Sequence, residues 1–400
     1  MISPSARRAL ASPRFIGLLA TNFVLGLTSA FVLPFISLWA TRDIGMSPRL
    51  LGVYMTVTQL SAIAVTMLLG RASDQGVPRR TLLLVGSGAG ALGYLGFACV
   101  REPLLLLLIG SSAIAVASIN FAQFFAHVRE HLEHNEDAAD AAPLLMGILR
   151  ASYALAWTVG PLTAGDLVSR FGYPSTFLAT ASLFLVFAAG VTTFVPRTSP
   201  IPTLANPRVG WGLGEPVVFA HALAFALMFA AITLKGLNLP LLLTEKLGAS
   251  ERGVGSAFAV SPLFEILFMV GFGQLATLGH QRLVMVVGAA AAVAYFASLP
   301  FITAVWHVYP LQVLNAAASA VTTSAAIPYF QDLMPGQRGV ATSLYSNALK
   351  AGSLIGAGAF GLLAAHLGHT RLFWVCAGFA LITLTVVSFV RQRPAHPTRS

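Results

Sequence analysis

Charge is scarce in this sequence. Only 10% of its 400 residues are Asp, Glu, Lys or Arg, whereas 56% are hydrophobic; soluble domains carry roughly 25% charged residues. A surface so poor in charge excludes an ordinary water-soluble globule and calls for a lipid bilayer as partner. Cysteine is nearly absent too. Cys99 and Cys376, each in an apolar run, supply neither a disulfide framework nor a metal cluster, and read as small core hydrophobes. No phosphate-binding Gly-rich loop, no Gly-x-Ser-x-Gly and no His-Glu-x-x-His occurs, which argues against an enzyme and against ATP as energy source. No cofactor or metal is expected. Alternating segments of about ten residues, the mark of a membrane barrel, are also missing.

What is present is apolar length. A helix needs about 20 apolar residues to cross a bilayer. Twelve such stretches lie near 15–40, 50–70, 81–100, 104–126, 144–168, 173–195, 217–243, 253–276, 283–302, 305–330, 340–366 and 371–390. The first is too long for the apolar region of a signal peptide and lacks a small-residue cleavage site, so it reads as a span. The fold class expected is therefore all-α, a polytopic membrane protein of twelve transmembrane helices. A net charge of +10 suggests nucleic acid until the charges are placed. With a cytoplasmic N-terminus, fourteen arginines fall on the inner side and seven basic residues on the outer. That bias is the positive-inside rule, and it puts both termini in the cytoplasm with no nucleic-acid partner.

A polar, Pro- and Gly-rich interruption at 196–216 divides the helices six and six, giving bundles 1–195 and 217–400 joined by a linker. The bundles repeat. At an offset of 203, Gly45/Gly248, Ser47/Ser250, Arg49/Arg252, Gly52/Gly255, Gly70/Gly273, Gly76/Gly279 and Arg79/Arg282 coincide. Beyond an acidic segment, Arg129 to Asp140, the offset falls to 196, pairing Gly160/Gly356, Gly165/Gly361 and Gly172/Gly368. Each half holds an even number of spans, so both copies have the same orientation. Parallel repeats of this kind enclose a substrate site near mid-membrane.

Gly70-Arg-Ala-Ser-Asp74-Gln-Gly76-Val-Pro-Arg79-Arg80 resembles the signature loop of the major facilitator superfamily. There Gly70 permits close helix approach, Asp74 accepts charge-assisted hydrogen bonds, and Arg79 and Arg80 sit at the lipid surface. The alternative is a tight turn carrying topology charges. The second copy has Thr277 where the carboxylate would stand. Trp157-Thr-Val-Gly160-Pro161 resembles the Gly-Pro motif of antiporters in that superfamily, with Pro161 kinking the helix and Gly160 packing closely; plain small-residue packing is the other reading. The strings Gln123 to His131, Leu149-Arg-Ala151, Asn238-Leu-Pro240-Leu, Tyr329-Phe-Gln-Asp332-Leu-Met-Pro-Gly-Gln337 and Leu344-Tyr-Ser-Asn347 resemble the sugar efflux transporters of the superfamily. The resemblance implies export of sugars or glycosides, driven by proton antiport in the plasma membrane, by a monomer. Lys235, where a neutral residue is expected, and Leu267, where proline is expected, depart from the pattern and leave a drug or other small metabolite as alternative cargo.

Charge inside a span costs at least ~2.5–3.5 kcal/mol, so each case invites a role. Glu265, midway along the eighth span, is the candidate proton-coupling group; a fixed ion pair with Arg150, Lys235 or Lys350 is the alternative. Arg150, Tyr153 and Trp157 share one helix face with Pro161, a cation, a phenol and an indole suited to a sugar, or simply packing against a neighbour. Asn120 and Gln123 share a face with His127. Asn22, Gln59, Asn238, Asn347 and Lys350 complete the candidate substrate-binding set. Asp166 and Asp332 lie near span ends and read as structural.

Overall fold

The computed structural model describes residues 10–133, 141–196 and 215–390. Most of the expected linker, 197–214, and the acidic stretch 134–140 lie outside them. Every regular element among the described residues is helical. The helices are α1 (Pro13–Ala30), α2 (Pro48–Asp74), α3 (Arg79–Cys99), α4 (Pro103–Leu132), α5 (Ala142–Phe171), α6 (Pro174–Phe194), α7 (Pro216–Leu241), α8 (Glu251–Leu275), α9 (Gln281–Ser298) and α10 (Val308–Ala320). The last run, Arg338–Phe389, breaks at Gly368 into α11 (338–367) and α12 (369–389).

Among the described residues seven helical runs are long and apolar enough to cross a membrane. Two of them, Glu251–Phe301 and Gly339–Phe389, have 51 residues each. At 1.5 Å per residue either would reach about 77 Å if straight, well over twice the hydrocarbon thickness. Each is bent by a glycine in the left-handed region, Gly279 or Gly368, and so supplies two crossings. The chain is a multi-pass membrane protein, and these helices accord with the twelve spans expected.

The outward faces are apolar: Leu92, Leu185, Leu267, Leu278, Leu362 and Phe389 are all exposed. Polar side chains sit inside, among them Asn22, Asn120, Gln123, Asn238, Gln312 and Asn315. Such a distribution suits lipid outside and a hydrogen-bonding interior.

The chain forms two compact units. One comprises Met1–Ala205 with Leu239–Leu263, the other Asn206–Asn238 with Phe264–Ser400. The first is held by an apolar core of Phe15, Leu18, Leu83, Phe124, Leu145, Leu149 and Phe187. An aromatic stack adds to it, in which Trp39, fully buried, meets Phe97 at 5.3 Å and Phe177 at 4.7 Å. The core of the second unit gathers Phe225, Phe229, Phe272, Tyr329, Phe330 and Tyr345.

The repeat reappears as equal backbone behaviour. Gly45/Gly248, Gly76/Gly279 and Gly172/Gly368 all have φ between +65° and +106°, where only glycine is unstrained. Ser47 and Ser250 each accept a hydrogen bond from a backbone N–H three residues on, capping α2 and α8. Wide π-helical turns occur at Trp39–Asp43 and Leu242–Lys246, again 203 apart. Gly160 leaves room for Ala30, whose Cβ would lie 2.6 Å from an added methyl, and Gly356 does the same beside Ala230 and Thr233.

One pairing needs correction. The guanidinium that matches Arg282 belongs to Arg80, not Arg79. Arg80 donates to the carbonyls of Val191 and Thr192 at the end of α6, the second bond at 2.5 Å. Arg282 donates to those of Val387 and Ser388 at the end of α12. Cations at helix C-termini satisfy orphan carbonyls and oppose the dipole. The loop before α9 is one residue shorter than that before α3, which shifts the register by one.

Candidate functional site

Three polar constellations stand out, each inside one unit. The first is a cavity of about 310 Å³ in the first unit, at the lower end of the range for small-molecule sites. α1, α2, α3, α4, α5 and α6 all contribute to its wall. Tyr54, Tyr94, Phe97, Phe121, Tyr153 and Phe184 give it aromatic faces, and Ser29, Thr58, Gln59, Ser118 and Asn120 give it hydroxyls and amides. Every side chain in the wall is uncharged. Asn120 is buried to 1% exposure, and neither amide atom has a hydrogen-bond partner among the described residues. It fits only because residue 86 is glycine: a Cβ there would fall 2.5 Å from Asn120 Oδ1. An unsatisfied buried amide costs about 1–3 kcal/mol. Such a group, at the wall of a cavity, is poised to accept and donate to a solute.

The second constellation belongs to the second unit, with Gln312, Asn315 and Tyr295 buried, Lys235 and Glu265 half-buried and Thr323 exposed. Lys235 Nζ on α7 donates to Asn315 Oδ1 on α10 at 3.2 Å and lies 5.9 Å from the centroid of the Tyr295 ring. Asn315 in turn donates to Gln312 Oε1 at 3.0 Å. Glu265 on α8 accepts from the Thr323 hydroxyl at 2.9 Å. Thr323 belongs to a wide turn, Val321–Ala325, that continues α10; such turns recur at functional sites. Lys235 and Glu265 attract one another electrostatically, yet they do not form an ion pair.

The third is a network at the α2–α3 corner. Arg79 grips Glu130 of α4 with Nε and Nη2, at 2.6–3.1 Å, while Nη1 donates to Gln123 Oε1 at 2.8 Å. Ser73 also donates to Gln123, at 3.4 Å. The two-pronged grip uses the fixed fork of arginine.

A further corner of the first unit is tied by ion pairs. Asp166 on α5 meets Arg252 on α8 at 2.7 Å and Arg170 at 2.8 Å. Arg42 approaches Glu251 at 3.8 Å, and the Tyr173 hydroxyl donates to the same carboxylate at 3.4 Å. Burial, and then the charge of Glu251, push the Tyr173 phenol up to about 12, so it keeps its proton and remains a donor. Between these pairs α5 and α8 touch through backbone: a side chain at Gly255 would collide with the Pro161 carbonyl, and one at Gly165 with that of Glu251.

The candidate residues read from the sequence therefore scatter. Gln59, Asn120 and Tyr153 stand in the cavity wall. Asn22 is fully buried and donates to Leu149 O at 2.6 Å and Ser152 Oγ at 2.8 Å, joining α1 to α5. Gln123 is held by Arg79 and Ser73. Asn238 is bound to His369, through its backbone carbonyl and its ring, at 2.7 Å each. Arg150 and Asn347 are exposed, Trp157 and Lys350 half-buried, and none of the four lines the cavity. The close helix approach expected at Gly70 is not found, since a Cβ there would meet open space among the described residues; Asp74 ends α2, and its side chain lies outside those described. Pro161 sits inside α5. Tyr54, Thr58, Tyr94, Ser29 and Ser118 were not singled out in the sequence. A tyrosine or serine in an apolar helix carries no signal of which way it faces; only helix periodicity pooled across α1–α4 could have gathered them.

Comparison with known proteins identifies the family and the fold. The family model described as Major Facilitator Superfamily matches residues 18–221 and 221–400. A putative sugar efflux transporter of Deinococcus radiodurans is 30% identical over 389 residues, covering 96% of this chain and 99% of its own. Sugar efflux transporter A of Escherichia coli is 28% identical over 374 residues, covering 92% and 94%. In three dimensions the chain resembles a mutant form of the nucleoside transporter NupG, with a TM-score of 0.80 at 13% identity, over 95% of this chain and all of the other; that likeness speaks for the fold.

Proposed function

Because the chain belongs to the Major Facilitator Superfamily, among its sugar efflux transporters, we propose that it exports sugars or glycosides across the bacterial inner membrane in exchange for protons. On this reading two six-helix halves, 1–195 and 217–400, joined by the linker 196–216, alternate access to the solute, with both termini in the cytoplasm. The chain is a transporter and not an enzyme.

The observation that carries the cargo is the uncharged, aromatic and hydroxyl-rich cavity with the unpartnered Asn120 at its wall. Sugars present apolar ring faces that stack on aromatics, and hydroxyls that both donate and accept. Gln59, Asn120 and Tyr153 are the groups we assign to contact the solute there, joined by Tyr54 and Tyr94. Asn22 and Gln123 act one step back, by fixing α1 against α5 and by engaging Arg79. Arg150, Trp157, Asn238, Asn347 and Lys350 are assigned to the solute path outside this cavity. Arg79, Arg80 and Asp74 are assigned to the inner latch, Gly160 to the close seam of α1 with α5 and Pro161 to that of α5 with α8. Glu265 is assigned to the proton because its hydrogen-bond partner among the described residues is the neutral Thr323, so it can take up a proton without breaking an ion pair.

The test is efflux from loaded proteoliposomes, with and without a pH gradient, over a panel of neutral sugars, glycosides and drug-like solutes. Gradient-stimulated sugar efflux that is lost in Glu265→Gln is the expected result. Sugar-independent behaviour, or full gradient response in that variant, refutes the reading of cargo or of coupling respectively.

A further inference from the structure

A cation within a span is costly, and Lys235 has no role in the mechanism above. Its ammonium carries three donors. One goes to Asn315 Oδ1 at 3.2 Å, and no carboxylate stands within ion-pair distance among the described residues. The side chain leaves α7 well away from the exposed Phe219 and Leu223, so it points into the unit and not to lipid. Beside it, Gly236 has open space where a Cβ would stand.

From the lysine a stripe of neutral polar groups leads outward. Asn315, Ser319 and Thr323 follow at four-residue intervals along α10 and its wide-turn continuation, and Thr323 donates back to the Ser319 carbonyl at 2.8 Å. Exposure rises along the stripe: Asn315 is buried, Ser319 half-buried and Thr323 exposed, while every other residue from 311 to 325 is buried or half-buried. At 1.5 Å per residue the eight steps from Asn315 to Thr323 cover about 12 Å. Glu265, which accepts from Thr323 at 2.9 Å, closes the far end.

We propose that this stripe is a subsite for sugar acids: the solute carboxylate pairs with Lys235, and the solute hydroxyls run along Asn315, Ser319 and Thr323 towards Glu265. One ammonium balances one negative charge, so a monocarboxylate fits. A phosphate monoester, with about −1.5 to −2 charges at neutral pH, would leave charge unpaired inside the membrane. Hydroxyls both donate and accept, which suits a succession of amide, hydroxyls and carboxylate. The cargo then extends from neutral sugars to their acids. This inference rests on the reading of the chain as a sugar exporter.

The experiment measures binding to the purified full chain in liposomes at neutral pH by intrinsic fluorescence. Its probes are gluconate, the uncharged gluconamide, glucose 6-phosphate and a neutral glucoside. Native protein should bind gluconate roughly tenfold or more tightly than gluconamide, the worth of a charge-assisted hydrogen bond, and should export it from loaded proteoliposomes. That preference should disappear in Lys235→Gln and return in Lys235→Arg. Because it is a ratio within one preparation, partial unfolding does not mimic its loss. No preference in the native chain overturns the proposal, as does an undiminished one in Lys235→Gln; tighter binding of glucose 6-phosphate than of gluconate overturns the assignment to a carboxylate. Should Lys235→Gln fail to assemble, Asn315→Asp sets an internal carboxylate against the ammonium, and a preference kept there refutes the subsite. Glucoside binding without acid preference removes this inference alone, whereas binding of neither glucoside nor gluconate removes the sugar reading itself.

Discussion

Truncating Asn120 separates a binding group from a packing group. Both amide atoms are buried without a protein partner among the described residues, a penalty of up to about 1–3 kcal/mol. Asn120→Ala removes that penalty and forfeits the packing of about one carbon, ~0.8 kcal/mol. The space left is continuous with the existing cavity, so little new void is closed off. Relief of the unpaired amide outweighs the lost packing, and the empty variant should be as stable as the native chain or up to ~2 kcal/mol more so. Solute binding moves the other way. Two neutral hydrogen bonds at about 0.5–1.5 kcal/mol each convert to a loss of about 5- to 150-fold in affinity. The assay is a pair of measurements on one preparation: thermal unfolding in detergent without solute, and Kd for a neutral sugar from intrinsic fluorescence. A variant that melts lower while binding as tightly as native would refute the reasoning, because Asn120 would then serve the fold.

Four further outcomes follow from the geometry. Glu130→Gln should cost about 1 kcal/mol or less in detergent unfolding, since the carboxylate is 46% exposed, whereas Arg79→Ala, which also releases Gln123, should cost clearly more. Gly255→Val should destabilise by about 1–3 kcal/mol through overpacking against the Pro161 carbonyl, read as a lowered melting temperature; a native melt would contradict the contact. Arg252→Ala should change stability by less than ~1 kcal/mol, and that change should vanish in molar salt, because the pair with Asp166 is about half exposed. In an alkaline absorbance titration the difference between native protein and Tyr173→Phe should contain a phenol with its midpoint near 12, the sign being that burial and Glu251 both favour the neutral form; a midpoint at the ordinary value of about 10 would refute it.

Much of the scaffold was legible because it depends on residues with narrow physical meaning. The repeat at offset 203 was read from the sequence as matching residues alone; in the structure its paired glycines hold left-handed turns, its paired serines cap helices, and the same offset relates the wide turns at Trp39–Asp43 and Leu242–Lys246. The site was less legible. An amide in an apolar helix looks the same whether it meets a solute, as Asn120 is placed to do, or a neighbour's backbone, as Asn22 and Asn238 do. The confusion of Arg79 with Arg80 has a similar source. Adjacent arginines at a helix start point in different directions, and a one-residue deletion before α9 reassigns them. Lys235 was read as a departure from the family pattern and as one of three possible ion-pair partners of Glu265; its hydrogen bond to Asn315 was not legible, because a lone cation declares nothing until its neighbours are known.

The α5–α8 contact joins main-chain atoms, with no side chain on either side at Gly165 and Gly255. Its strength therefore owes nothing to protonation or to counter-ions. As the flanking ion pairs fade in concentrated salt or at extreme pH, that corner keeps a hold set by shape alone, a mechanical stop whose setting the medium cannot adjust.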